Sequence, residues 1–156
     1  MLTALSLGAY IPIWFGLTWA ELRRETKNGS FMPLGHALGT LLPGVNVVIA
    51  WRHFRVIDEL LQKTGGARVD PMSAAIGVVI WWLTFTHYSS EPLFLVLDAV
   101  ELIAGTAVVV YGQRALNRYW AGQGGEERVL ETDMFALAVA ATYALFTIIG
   151  FFSTPS

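Results

Sequence analysis

The chain has 156 residues, of which 54% are hydrophobic and only 14% are charged. Soluble domains carry about 25% charged residues, so this composition favours a protein that lies largely in a lipid bilayer. The formal net charge of −2 offers no basic surface, which excludes nucleic-acid partners. The absence of cysteine excludes disulfides, thiolate catalysis and thiolate metal sites. At this length we expect one integral-membrane helical domain over residues 1–156.

Five apolar segments follow one another along the chain. A helix needs roughly 20 residues to cross the hydrocarbon core of a bilayer, and each segment comes close to that length. We therefore expect an all-α membrane protein. The segments cover residues 2–20, 31–51, 72–88, 93–111 and 134–152.

The basic residues indicate how the segments cross, because Lys and Arg favour the cytoplasmic side. All ten fall in three clusters, at residues 23–27, 52–68 and 114–128. If the second segment enters and returns as a re-entrant hairpin that turns at Pro43-Gly44, every cluster lies on one side. If all five segments cross, the first cluster faces away from the others. We favour a compact bundle of four transmembrane helices plus the hairpin, with five transmembrane helices as the alternative.

The favoured arrangement predicts a multi-pass protein of the bacterial cytoplasmic (inner) membrane. Its three basic clusters are expected on the cytoplasmic side and its N-terminus outside. The predicted partners are the lipid bilayer and either another membrane protein or a second copy of the chain.

The dipeptide Pro43-Gly44 breaks the second segment for a physical reason. Proline lacks an amide donor and clashes with the preceding helical turn, while glycine permits a positive φ. Non-helical backbone at membrane depth is tolerated only where protein or water satisfies it. We therefore expect the turn to be buried against the other helices, with Asn46 capping the helix that follows.

Residues 47–63 form the next predicted element, an amphipathic helix. Apolar residues recur there at helical spacing along one face, and charged residues occupy the rest. Such a helix lies in the membrane interface, with Trp51 and Arg52 at the level of the headgroups. His53 belongs to the same helix, and we interpret it as a headgroup contact.

The fourth segment carries two carboxylates, Asp98 and Glu101, whose spacing places them on one helix face. A carboxylate inside a membrane is costly and marks an ion or proton path by default. The alternatives are a neutral acid that holds two helices together and a contact to a partner subunit. The candidate supporting polar groups are His87, Asn46, Tyr143 and Thr147.

A haem site depends on the five-crossing alternative. His36 is flanked by small residues and His87 ends the third segment. With five crossings the two would lie at similar depth, as two axial imidazoles require; with the hairpin they lie on opposite sides. We predict no cofactor and no metal.

The chain lacks a nucleophile elbow, a zinc-protease His-Glu-x-x-His and a phosphate-binding glycine loop. These absences favour a non-enzymatic accessory, scaffold or interaction subunit of a membrane assembly. The alternative is a small proton or cation channel or transporter unit centred on Asp98 and Glu101. A third hypothesis is an intramembrane enzyme or a haem-binding protein.

Residues 7–66 resemble small bacterial integral-membrane domains of unknown function. The resemblance lies in a first helix rich in glycine and aromatic residues, with Gly8, Tyr10 and Trp14. It continues in a Pro-x-Val-Asn turn, here residues 43–46, that leads into a charged amphipathic helix. The resemblance implies a bacterial inner-membrane location and carries no activity.

Overall fold

The computed structural model describes residues 10–85 and 92–123, apart from the side chains of residues 85, 92–95 and 98. The described ranges contain α-helices and no strand, so this part of the chain is all-helical, as the sequence predicts. The helices are α1 Tyr10–Thr26, α2 Pro33–Gly39, α3 Val45–Lys63, α4 Pro71–Phe85 and α5 Pro92–Gly122.

The predicted number of membrane crossings is wrong. Within residues 10–85 and 92–123, one helical stretch is long and apolar enough to span a membrane, Ala99–Gly122 of α5. This finding overturns both the bundle of four transmembrane helices with a re-entrant hairpin and the five-helix alternative.

The other described stretches fall short for different physical reasons, and residues 2–9 of the first predicted segment lie outside the described residues. After its apolar part, α1 continues through Glu21, Arg23 and Arg24. The segment 31–51 divides between α2, which has 7 residues, and the start of the charged helix α3. The 15 described residues of α4 cover about 22 Å, less than the roughly 30 Å of a bilayer core, and residues 86–88 of that predicted segment lie outside the described residues. The predicted segment 134–152 lies outside the described residues.

A turn at Pro43-Gly44 separates α2 from α3. Gly44 has a φ of +76°, which glycine adopts without steric cost, and α3 begins at the next residue. The helix therefore breaks where the sequence predicts. The expected burial of the turn is wrong, since residues 41–44 are exposed. Trp82 of α4 donates from Nε1 to the carbonyl oxygen of Leu41 at 3.0 Å and so satisfies part of the turn.

Asn46 does not cap α3, contrary to the prediction. The N-cap residue is Gly44, which offers no side-chain hydrogen bond. Asn46 lies in the first turn, is 2% exposed, and accepts a hydrogen bond at Oδ1 from the amide of Val47 at 2.8 Å. Its polar side chain is thus satisfied locally, inside the protein.

The amphipathic helix is present as α3, but its apolar face packs inside the protein and not against lipid. Four residues of that face are completely buried: Ala50, Phe54, Ile57 and Leu61. Neighbouring helices complete the core with side chains that are equally inaccessible. These include Ile11, Phe15 and Leu22 of α1, Val78 and Trp81 of α4, and Leu116 of α5.

A glycine allows α5 to approach α1. A Cβ placed at Gly112 would collide with the indole ring of Trp14 and would lie 3.0 Å from the ring of Phe54. The same indole donates from Nε1 to Oε1 of Gln113 at 3.0 Å. The close packing of α5 on α1 therefore depends on a glycine, which has no side chain, at position 112.

The C-terminal ends of α1, α3 and α5 lie at the same end of the molecule. The hydroxyl of Tyr119 donates to Oε1 of Glu25, and a Cβ on Gly122 would lie 3.6 Å from the side chain of Thr64. That these residues face the cytoplasm stays a prediction, and Arg128 lies outside the described residues. The basic residues next to these contacts are Arg23, Arg24, Lys27, Lys63 and Arg118.

Candidate functional site

Two histidines meet in the core of the α2–α3 hairpin. Because the two helices run back along each other from the turn, His36 of α2 comes opposite His53 of α3. Nε2 of His36 lies 3.1 Å from Nδ1 of His53, within hydrogen-bond distance. His53 is fully buried and His36 is 7% exposed.

Thr18 of α1 holds the second nitrogen of His53. Its Oγ1 lies 2.7 Å from the carbonyl oxygen of Trp14 and 3.1 Å from Nε2 of His53. A hydroxyl has one hydrogen, and the closer carbonyl takes it. Thr18 therefore accepts a hydrogen bond from the Nε2–H of His53.

This hydrogen bond assigns the tautomers of both histidines. With its proton on Nε2, neutral His53 presents Nδ1 as an acceptor, so the hydrogen between the rings belongs to Nε2 of His36. Nδ1 of His36 is then an acceptor as well. It has no hydrogen-bond partner within the part of the chain that the structure describes. The chain of hydrogen bonds thus runs from His36 through His53 and Thr18 to the backbone of α1.

Electrostatics keep both rings neutral. Burial lowers the pKa of His36 to about 3, and the positive charge of Arg52 contributes to the shift. Burial also lowers the pKa of His53 well below its usual value, with repulsion by His36 as the second cause. Near pH 7 neither imidazole carries a charge, which agrees with the tautomers assigned from the hydrogen bonds.

Aromatic rings enclose the pair. The ring of Trp19 stacks on His36 with centroids 3.9 Å apart and on Phe31 with centroids 4.1 Å apart. Phe15 meets His53 edge-on at 4.7 Å. The guanidinium of Arg52 lies 5.6 Å from the Trp19 centroid, a cation–π contact at the rim of the cluster.

The histidine pair has few of the groups that catalysis or metal binding requires. In the described ranges, no three His, Asp or Glu side chains converge so that they could hold a metal ion. Three of the four ring nitrogens are engaged by His36, His53 and Thr18 themselves. What the arrangement provides is one oriented acceptor, Nδ1 of His36, with the Arg52 cation nearby.

The predicted carboxylate site lies elsewhere. Glu101 is 8% exposed and sits on α5, inside the candidate membrane span. Asp98 is one helical turn before it, and its side chain is outside the described set. Asn46 and the Pro43-Gly44 turn belong to the α2–α3 hairpin, whereas Glu101 belongs to α5. His87, Tyr143 and Thr147 also lie outside the described residues.

The pairing of His36 with His87 on one haem stays an untested prediction. In the structure, the Nε2 atom of His36 is engaged by His53.

Sequence reasoning missed His53 as part of the site. We predicted a headgroup contact, but its ring is fully buried. A signal was present, because residue 53 lies three positions after Ala50 and four before Ile57, in phase with the apolar face. A histidine in phase with buried positions predicts a core partner, and His36 is that partner.

Comparison of the chain with protein-family models, curated proteins and solved structures finds no match. The resemblance of residues 7–66 to small bacterial membrane domains therefore stays a prediction.

Proposed function

We propose that this protein is a non-enzymatic accessory or scaffold subunit in the bacterial inner membrane. In this proposal α5 is the element that crosses the bilayer, and the exposed apolar faces of α4 and α5 contact lipid and a membrane-protein partner or second copy. The observation that carries the proposal is a pair of apolar stripes on these two helices.

The stripe on α4 follows helical spacing. Met72, Ile76 and Leu83 are each more than half exposed and Ile80 is 40% exposed. No residue of α4 carries a charge. On monomeric soluble proteins a contiguous apolar patch of this kind is uncommon and marks an interaction site.

The stripe on α5 has the same character. Val96 is 59% exposed, Val100 37% and Ile103 69%, again at spacings of four and three residues. Because α4 and α5 pack against each other, the two stripes belong to neighbouring helices. Each stripe is suited to apolar surroundings.

The histidine pair supports a non-enzymatic role. Both rings are neutral, and their shared hydrogen bond joins α2 to α3, while Thr18 ties α3 to α1. Such a chain of buried hydrogen bonds specifies how helices pack. Its buried nitrogens have no free hydrogen to give to a substrate.

Membrane attachment needs a direct test, because the core helix of a soluble protein can match α5 in length and composition. We expect the full-length protein to stay with membranes through alkaline carbonate washing. Release into the soluble fraction in a folded state would contradict the proposal.

The scaffold role is tested by crosslinking, which is convenient because the chain has no cysteine. Single cysteines at Ile76 or Ile103 should crosslink in intact membranes to a second copy or to another protein. The matched control is a cysteine at Glu59, an exposed position on the charged face of α3. If the stripe positions crosslink no better than the control, and the protein is a monomer in every mild detergent, the scaffold role is wrong.

One observation favours a second candidate function, proton or cation transport. Glu101 is buried inside the only candidate span of the described residues, where a carboxylate is expensive to keep. Glu101→Gln should abolish pH- or cation-dependent flux in liposomes while the fold is retained, and Glu59→Gln is the control. Equal flux in wild type, Glu101→Gln and empty liposomes would rule this function out.

A further inference from the structure

We propose that Arg52 and His36 bind the headgroup of an anionic glycerophospholipid. The phosphate binds the Arg52 guanidinium, and a headgroup hydroxyl donates to Nδ1 of His36. This inference rests on the proposed membrane location and names the lipid class that the protein selects there.

The acceptor half of the site is built by the hydrogen-bond chain. Thr18 locks the tautomer of His53, and His53 in turn locks that of His36, so Nδ1 of His36 is an acceptor at neutral pH. The ring is held flat against Trp19, with an interplanar angle of 1°. His36 is 7% exposed, and its Nδ1 has a fixed lone pair and no partner in the described residues, so it can accept a hydrogen bond from a donor outside the protein.

The cationic half of the site is best seen by comparing two arginines on α3. Arg55 lies over the ring of Trp51 and forms an ion pair with Glu59, N to O 3.0 Å. Arg52 lies over Trp19 and Phe31 and has no acidic partner in the described part of the chain. The charge of Arg52 is therefore available to an anion, and its planar fork matches a phosphate.

The surroundings favour a lipid over a water-soluble phosphate. Met32 and Leu34, which lie between Phe31 and His36 in the chain, are 71% and 73% exposed. Exposed apolar side chains beside an arginine and stacked aromatic rings are the arrangement found at the interface of a bilayer. Acyl chains would cover Met32 and Leu34 while the headgroup occupies the polar site.

The charge balance favours a glycerol headgroup over an ethanolamine headgroup. Arg23 and Arg24 in the last turn of α1, and Lys27 just after it, are exposed and follow Trp19, which stacks on His36. With Glu21 and Glu25, the stretch 21–27 carries a net charge of +1. Its field attracts an anionic lipid and repels an ammonium group. A headgroup such as phosphatidylglycerol supplies both the phosphate and the hydroxyl donor without adding a cation.

The test measures lipid affinity of the full-length protein in mild detergent by native mass spectrometry. Added lipids are phosphatidylglycerol, phosphatidylethanolamine, phosphatidylcholine and phosphatidylmethanol, the last an anionic phosphate that lacks a headgroup hydroxyl. We expect phosphatidylglycerol to bind about tenfold more tightly than phosphatidylcholine. Phosphatidylmethanol should bind about fivefold more weakly than phosphatidylglycerol, because one neutral hydrogen bond is lost.

The arginine comparison supplies matched variants. Arg52→Gln should remove most of the preference for phosphatidylglycerol, while Arg55→Gln should change it by less than about twofold. Arg52→Lys should retain part of the preference, since it keeps the charge and loses the fork. Both positions are on the surface, so folding of the three variants is checked by thermal melting alone.

Three outcomes would overturn the proposal. They are equal affinity for the four lipids, equal losses in Arg52→Gln and Arg55→Gln, and displacement of the lipid by an equal concentration of inorganic phosphate. Each of them leaves membrane attachment intact. Failure of the membrane location would show separately, as release of the folded protein by carbonate washing.

Discussion

The α1–α3 region and the α4–α5 pair use their side chains in different ways. Around the histidines, hydrogen bonds and stacked rings join three helices. The ring of Trp19, for example, stacks on both Phe31 and His36. The α4–α5 pair packs through apolar side chains and leaves two stripes exposed, among them Ile76 and Ile103.

This difference shows that the high overall hydrophobicity has two sources, an internal core and an apolar surface. Around the histidines of the α1–α3 region, aromatic and apolar residues pack in an internal core, although Met32 and Leu34 at the start of α2 stay exposed. In the α4–α5 pair, apolar residues along two helical stripes stay at the surface, where lipid or a partner must cover them. A count of apolar segments treats both sources alike, which is why it predicts too many membrane crossings.

The largest expected effect is a loss of stability in acid that originates in the histidine region. The folded-state pKa of His36, about 3, lies below its unfolded value of 6.5. Below pH 6.5 the unfolded chain binds more protons, so stability is complete above 6.5 and falls as the pH falls. Between pH 6.5 and 4 we expect His36 to account for roughly 3 kcal/mol. His53 should add to the loss in the same direction.

The range from pH 6.5 to 4 separates the contribution of the histidines to stability from that of the carboxylates. The amide of Val69 donates to Asp58 and lowers its pKa below the usual 3.8, so its contribution is lost only at lower pH. Unfolding by urea in mild detergent at a series of pH values measures the effect. The slope should be smaller in His36→Phe. A flat profile from pH 7 to 4 would contradict the assignment of two buried neutral rings.

The second prediction concerns removal of the His53 side chain. His53→Ala leaves a cavity and deprives Thr18 and His36 of their shared partner, so we expect a loss of about 3 kcal/mol in the free energy of unfolding. The control on the same helix is Trp51→Ala, which removes a partly exposed ring. If the two variants unfold at similar urea concentrations, the histidine pair is not a central part of the core.

The third prediction concerns the contact between α1 and α5, which joins the two regions. Gly112→Ala places a methyl group against the indole of Trp14, which must move, and we expect a loss of about 2 kcal/mol. Gly29→Ala is the control, because no atom lies within 4 Å of a Cβ at that position. Thermal melting compares the two. Equal stability of both variants would show that α5 does not pack on Trp14.

The smallest effect is expected on the α4 stripe. Ile76→Ser alters a side chain that is 54% exposed, so in detergent the free energy of unfolding should change by about 0.5 kcal/mol or less. Val78→Ser, at a fully buried position two residues on, is the contrasting variant and should cost several times more. A larger loss of stability in Ile76→Ser than in Val78→Ser would show that Ile76 is a core residue.

Much of the helical pattern can be predicted from the sequence, because local chemistry decides it. The break at Pro43-Gly44 follows from a missing donor and a permitted positive φ. The amphipathic period over residues 47–63 predicts a helix, and α3 covers Val45–Lys63. The helix ends at Lys63, and Thr64 and two glycines follow, as expected for a helix stop.

The packing could not be predicted in the same way. An apolar face is compatible with lipid or with protein, and only the positions of α1 and α4 decide that Phe54 and Ile57 face inward. The pairing of His36 with His53 depends on the angle at which α2 returns along α3, which no local pattern contains. Trp14 and Gly112 illustrate the same point, since their fit joins residues 98 positions apart in the chain, on α1 and α5.

The central claim is that His36 and His53 form a buried, neutral and tautomer-locked pair. Nitrogen-15 NMR of histidine-labelled protein in mild detergent tests it most directly, because imidazole shifts distinguish the two tautomers and the imidazolium. We expect both rings to be neutral with hydrogen on Nε2 at pH 7 and at pH 5, and the Nε2 of His36 to couple to the Nδ1 of His53. An imidazolium signal from either residue at pH 5, or a hydrogen on Nδ1 of His53, would contradict the account.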